Sequence, residues 1–292
     1  MERSKRLASA PVTWGVWERT SDGDDLIPAG RLLETVAALG YAGIELGPPG
    51  YLGADGSEVA AALAAHGLAL VGGFAPLHLG DEDGFAADLA AWLDPILDAL
   101  AAGGARGPAV LADAGGEPRT PLDGAAYERL ARAADRCRAR GIEPVFHHHV
   151  ATNVETPAEL SDLLEHSDVG ICFDTGHALA GGGDPIEVAR MCGTRIRHLH
   201  LKDVDGQILA RLRSGELTTE QAWGLGLFGP FGEGIVDLAA VLALPELAGY
   251  DGWIVLEQDR VAVSVGDLEA VREVEARNLA VLAGAETVPA TT

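Results

Sequence analysis

Four stretches of this sequence gather side chains that bind cations or move protons. They are His147-His148-His149, Asp174-Thr175-Gly176-His177, His198-Leu199-His200-Leu201-Lys202-Asp203, and Glu257. Each closes or follows a short apolar run. Residues i and i+2 of a strand share a face, so His147 points with His149 and His198 with His200. Asp174, His200, Glu257 and one of His147 and His149 therefore converge if their strands surround one centre. Two imidazoles and two carboxylates make a donor set for a divalent ion. The mixed nitrogen and oxygen set suits Mn²⁺, Co²⁺, Fe²⁺ or Zn²⁺ ahead of Mg²⁺, which prefers oxygen. One such residue alone is more often a packed histidine or a helix cap; their coincidence at the ends of four consecutive runs favours a metal site. His148 faces the other way and reads as packing.

The elements that must position these residues are short. Strands are expected at Ser9–Trp14, Gly43–Leu46, Ala69–Phe74, Ala109–Ala112, Glu143–His149, Val169–Asp174, Ile196–Leu201 and Trp253–Glu257. Helical spacing falls between them, at Arg31–Leu39, Tyr127–Arg140, Pro157–Glu165 and Asp267–Ala283. Thr156-Pro157 reads as a capped helix start. Eight strand–helix repeats in 292 residues predict an α/β chain folded as a closed (β/α)₈ TIM barrel, one domain over 1–292. The segment near 203–234 reads as an elaborated loop with a small helix at Glu216–Trp223. Barrel sites lie at the C-terminal strand ends. Seven of the nine histidines (His78, His147, His148, His149, His177, His198 and His200) fall there, where random placement would scatter them over the helices too. Neither GxGxxG after the first strand nor GxxxxGK[ST] occurs, which removes the usual nucleotide signatures.

Composition narrows the partners. Acids outnumber bases 44 to 21, a net charge of −23, which disfavours nucleic acid and anionic membranes. Three cysteines without a CxxC pair support neither a disulfide framework nor a cysteine zinc site. The basic start lacks an apolar leader and no run is long enough to span a membrane, so a cytoplasmic protein is expected. Lys202 is one of two lysines, with Lys5, in a chain otherwise based on arginine.

At these motifs the sequence resembles the xylose isomerase-like TIM barrels, the sugar phosphate isomerase/epimerase superfamily, and within it the inosose dehydratases (2-keto-myo-inositol dehydratases). The likeness is carried by Ala10-Pro11-Val12-Thr13-Trp14, Gly43–Gly47, the triple His with Thr152 and Glu155, Phe173–His177, Arg197–Asp203, Gly232–Asp237 and Val255-Leu256-Glu257. It runs nearly end to end. It implies metal ligands at Asp174, His200 and Glu257. The fourth ligand, a Glu in the epimerases, aligns with His147, which leaves His147, His149 or neither as that ligand. The Gly that usually follows the HxH of the dehydratases is Ala151 here, and Gly15-Val16-Trp17 stands where polar residues are expected.

The resemblance implies α-proton abstraction from a polyhydroxy ketone through a metal-stabilised enediolate, most directly inosose dehydration. Mn²⁺ is the expected ion. Glu257 is the expected base, with His149, His177 or Lys202 as the acid. Trp14, Glu45, His147 and Lys202 are expected to contact substrate. For Glu45 the competing role is a salt bridge to an arginine, and for Lys202 a surface pair with Asp203. The alternatives are a keto-sugar isomerase or epimerase, and a non-catalytic sugar-binding barrel. An endonuclease IV-like activity conflicts with the negative charge. The expected partner is a small sugar or cyclitol ketone, with self-association into a homo-oligomer left open.

Overall fold

The apolar runs fold as parallel strands, and the amphipathic stretches between them cover those strands as helices. The computed structural model describes residues 6–17, 26–104, 107–116, 118–247, 249–261 and 263–285; Lys5 lies outside them. The strands are β1 (Leu7–Ser9), β2 (Gly43–Ile44), β3 (Ala69–Leu70), β4 (Gly73–Leu77), β5 (Ala109–Asp113), β6 (Pro144–His147), β7 (Gly170–Asp174), β8 (Ile196–Leu201), β9 (Asp203–Val204), β10 (Phe228–Gly229) and β11 (Ile254–Leu256). Nine of them form one sheet in the order β3-β2-β1-β11-β8-β7-β6-β5-β4. The two ends of that order, β3 and β4, are separated in the chain only by Val71 and Gly72. The sheet therefore closes on itself as the expected (β/α)₈ barrel.

Side-chain alternation divides the strands between two environments. Ile171, Phe173, Leu199 and Leu201 point outward into the large core beneath the helices. Small residues fill the interior: Ala8, Ala10, Val71 and Val255 in one cluster, Val110, Val145 and Cys172 in another. Polar side chains begin above that plug. Between β7 and β8 the register slips, Ile171 pairing with Ile196 but Cys172 with His198, so one residue of β8, Arg197, bulges out. The bulge sets Asp174 opposite His200, and β11 brings Val255 to the other side of His200.

Three expectations are corrected. The first strand ends at Ser9, because Pro11 opens a 3₁₀ turn over Pro11–Trp14 that Gly15 closes at φ +75°. The third strand is split at Val71-Gly72. A Cβ on Gly72 would lie 2.6 Å from Glu45 Oε1, so only glycine lets that carboxylate come so close to the backbone. The segment near 203–234 holds two helices, Gly206–Arg213 and Thr219–Gly224, with β9 and β10 paired antiparallel beside them. Val204, Leu209, Ala222, Leu227 and Phe228 give it a small core of its own. The Thr156 cap is present, with Glu159 completing a capping box on the Pro157–His166 helix. Among the described residues, no helix is long and apolar enough to cross a membrane.

Beyond β6 the chain turns through Ala151, which has φ +62° and is the sole non-glycine residue with positive φ among those described. The left-handed region strains a Cβ, which accounts for a glycine being expected there. Ala151→Gly should stabilise the protein by about 1 kcal/mol and raise the thermal midpoint by roughly 2–4 °C. Differential scanning calorimetry checks this, and a lowered midpoint would contradict it.

Candidate active site

The floor of the barrel mouth is assembled from side chains whose second contacts fix their orientation. Asp174 caps the Thr175–Ala180 helix, its Oδ1 accepting His177 N–H at 2.8 Å, which turns Oδ2 into the barrel. Glu45 Oε1 accepts from Nε2 of His198 at 2.8 Å and from Nε2 of His200 at 3.1 Å. That bond places the His200 proton on Nε2 and directs Nδ1 the other way. Nδ1 lies 2.8 Å from Glu257 Oε2 and 3.7 Å from Asp174 Oδ2. These three atoms lie within 4.8 Å of one another. All three are buried without a well-directed hydrogen bond. A set of orphaned, converging N and O donors is what a divalent ion would satisfy, so the residues present fit such an ion.

Lys202 is buried beside this group. Its Nζ stands 3.2 Å from Asp174 Oδ2, 3.0 Å from Glu257 Oε2 and 2.9 Å from Asp259 Oδ1, and 2.8 Å from His177 Nε2. The surface pair with Asp203 is thereby excluded: the Asp203 carboxylate instead accepts N–H groups of Gly232, Gly234 and Val236. Burial would depress the Lys202 pKa, but Asp174, Asp259 and Glu257 hold it well above the usual lysine value. Burial likewise opposes ionisation of Glu45, yet His200 and His198 bring its carboxyl down to about 2. Burial pushes Asp259 up to about 7 against the pull of Lys202. Asp259 was not anticipated from the sequence; its spacing of two from Glu257 is the signal that places both on one side of the chain.

The histidines divide by role. His148 accepts Asp174 N–H at 3.4 Å and packs against Phe173, away from the cavity. β6 ends at His147, but His147 and His149 both line the cavity above the floor. His147 is not gathered with Asp174 and Glu257. It groups with Cys172 and His200, and with His149 and His177. Burial, with His200 and His149 next to it, holds it well below the usual imidazole range. His149 Nδ1 is 2.7 Å from Val150 O, and its ring centroid is 3.9 Å from that of His177. His177 lies beneath the cavity surface, joined to it through Lys202.

The cavity has a volume of about 480 Å³. Glu45, His200, Lys202, Glu257 and Asp259 form its polar floor. Val16, Trp17, Phe74 and Trp223 supply aromatic and apolar wall, and Asp113 and Arg260 add polar groups that sequence reading missed. Glu45 pairs with histidines, not with an arginine. Trp14 does not reach the cavity: the 3₁₀ turn buries it completely, with Nε1 bonded to Ser9 Oγ at 3.0 Å.

Comparison with known proteins places the chain in a family. The family model for the xylose isomerase-like TIM barrel matches residues 33–278. The rhizopine catabolism protein MocC of Rhizobium meliloti is 33% identical over 273 residues, 88% of this chain and 82% of its own. An inosose dehydratase of Geobacillus kaustophilus is 29% identical over 277 residues, 87% of each chain. Among solved structures, the IolI protein with a bound zinc atom superposes with a TM-score of 0.68 at 16% identity, covering 94% of this chain and 98% of that one.

Removing the ammonium should expose how much the floor depends on it. In buffer containing a chelator, Lys202→Met is expected to lower unfolding free energy by about 3–5 kcal/mol, because buried carboxylates lose their counter-charge. Urea denaturation reads this, and an unchanged midpoint would show that Lys202 is not their counter-ion.

Proposed function

The chain belongs to the xylose isomerase-like TIM barrel family, and on that premise we propose that it is a divalent-metal-dependent lyase that dehydrates an inosose. The observation that carries this reading is the convergence of Asp174 Oδ2, His200 Nδ1 and Glu257 Oε2, none with a well-directed hydrogen bond, under a cavity large enough for a cyclitol. Asp174, His200 and Glu257 would hold the ion, with Mn²⁺ as the favoured ion ahead of Co²⁺, Fe²⁺, Zn²⁺ and Mg²⁺; His147, which groups with His200 but not with Asp174 or Glu257, stands beside this set. Held there, a divalent ion would supply Lewis-acid chemistry toward a substrate carbonyl.

The chain's own groups divide the proton work. Glu257 takes the proton α to the carbonyl. Lys202, fixed among three carboxylates and too basic to give up its proton readily, holds a substrate oxygen. His149, in the cavity wall, delivers the proton with which the β-hydroxyl leaves as water. His177 holds Lys202 from behind and Asp259 holds it from the cavity floor. Glu45 keeps the His200 tautomer. Epimerisation would need a second carboxylate where this chain has His147, which supports elimination over inversion.

The test is metal analysis of untagged protein together with turnover of 2-keto-myo-inositol, followed by enone absorbance with added Mn²⁺. Asp174→Ala should lose the metal while the barrel stays folded, and Glu257→Gln should cut turnover by roughly 10²–10⁴-fold. Full turnover by either variant, or by chelated wild type, would remove this reading. Glu45→Gln should weaken metal affinity by about 10–100-fold with little change in circular dichroism, as expected when a partner that orients a ligand is lost. Unaltered affinity in a metal titration would contradict that role.

A further inference from the structure

The helix Thr219–Gly224 belongs to the segment inserted between β8 and β11, and it sends Trp223 to the cavity. Several contacts keep this side chain in place. Thr218 and Gln221 form a capping box at the start of the helix. Ala222 sits in the segment's own core, and Trp223 packs against that core. The indole meets His149 edge-on at 5.8 Å between centroids and Trp17 at 6.4 Å, nearly perpendicular. Held so, the ring cannot swing its polar edge to solvent without breaking packing on three sides.

That polar edge is unsatisfied. Trp223 Nε1 is buried and has no hydrogen-bond partner among the described residues. A buried donor left unpaired is costly, and indole N–H groups ordinarily find an acceptor when buried. Among the described residues it meets the rings of His149 and Trp17 and makes no hydrogen bond to either. A molecule that enters the cavity Trp223 lines would bring an acceptor to it. The carboxylates and imidazoles that bind cations and move protons lie in the floor, whereas Trp223 and Trp17 form an aromatic corner in the wall. Two perpendicular rings suit the C–H face of a ring, with one N–H for an oxygen at its rim.

We propose that Trp223 Nε1 donates a hydrogen bond to a hydroxyl of a cyclic polyhydroxy ketone, so that the inserted segment selects the substrate. This rests on the reading that the cavity takes a polyhydroxy ketone. The hydroxyl concerned is one remote from the carbonyl that faces the floor.

Trp223→Phe keeps an aromatic ring and removes only the donor and part of the bulk. Binding of 2-keto-myo-inositol and other polyhydroxy ketones, measured by calorimetry on the metal-loaded protein, should weaken about tenfold. In turnover the loss should appear in KM, with kcat changed less than about twofold, because the contact is made equally to substrate and transition state. One mono-deoxy analogue should bind wild type about tenfold more weakly than the parent, yet bind wild type and Trp223→Phe alike. Equal affinity of wild type and variant for the parent ketone overturns this assignment and leaves the proposed activity standing. So does a loss in the variant that every mono-deoxy analogue shares. Wild type that binds no polyhydroxy ketone overturns both.

Discussion

The buried Asp174 and Glu257 and the partly buried Asp259 gather around one ammonium, that of Lys202, in the floor of the barrel. Buried carboxylates are tolerated only with counter-charge and hydrogen bonds close at hand. The rest of the site follows from meeting that requirement. His177 accepts from the same ammonium, and Asp174 spends its other oxygen on the cap of the next helix. Glu45, another buried carboxylate, is held ionised by two imidazoles. Burial opposes charge on His200 as well, but Cys172, Glu257 and Glu45 hold it well above the usual imidazole value. The floor thus demands positive charge, and a divalent ion at His200 would replace a proton there.

Backbone geometry meets the same demand. The slip at Arg197 pairs His198 with Cys172 and His200 with Asp174, which puts the two imidazoles of β8 on the inside together. Gly72 clears the space into which Glu45 reaches to bond them. A side chain at 72 would displace Glu45, and His200 would lose the partner that settles which nitrogen faces Asp174 and Glu257. A break in one strand and a bulge in another are therefore parts of the site rather than defects of the barrel. The small residues beneath (Ala8, Val110, Val145, Cys172) plug the interior so that the polar layer rests on apolar packing instead of water.

Much of this was legible in the sequence, for physical reasons that also mark where reading stopped. Period-two spacing put His198 and His200 on one face, and strand-end position brought Asp174, His200 and Glu257 together. Those inferences need only local geometry and the barrel rule. Trp14 was misread because Pro11 ends the strand and turns the next residues through a 3₁₀ loop. A proline after an apolar run is compatible with either continuation until tertiary packing decides. Lys202 was ambiguous because a strand-end lysine faces solvent or interior according to the bulge upstream, which no local pattern announces. Asp113 closes β5 one residue beyond the expected strand end, Asp259 carries the two-residue spacing from Glu257 past the end of β11, and Arg260 and Trp223 come from a loop and the inserted segment, where no periodicity reports direction. The resemblance to a family supplied what spacing alone did not: the expectation that a glycine belongs at 151, which the positive φ of Ala151 explains.

The inserted segment and the barrel floor answer different physical questions. The floor stands at the strand ends, where ladder hydrogen bonds such as Glu45 N–H to Ser9 O and Glu257 N–H to Leu201 O fix the backbone that carries its side chains. The wall is built on a small body with its own core, tied back by Asp203, whose carboxylate receives three N–H groups of the returning chain at Gly232, Gly234 and Val236. Asp203 follows Lys202 directly, so one stretch of chain holds the ammonium of the floor and the anchor of the wall. The wall is not independent of the charge balance below: its core residue Phe228 has the Lys202 ammonium 5.1 Å from its ring centroid and meets the His177 ring edge-on at 5.0 Å. Its height above the floor is set by the β8–β9 connection. Wall and floor are thus coupled in composition as well as in position: Phe228 closes the core of the inserted segment and faces the ammonium, while Asp203, next to Lys202, anchors the returning chain.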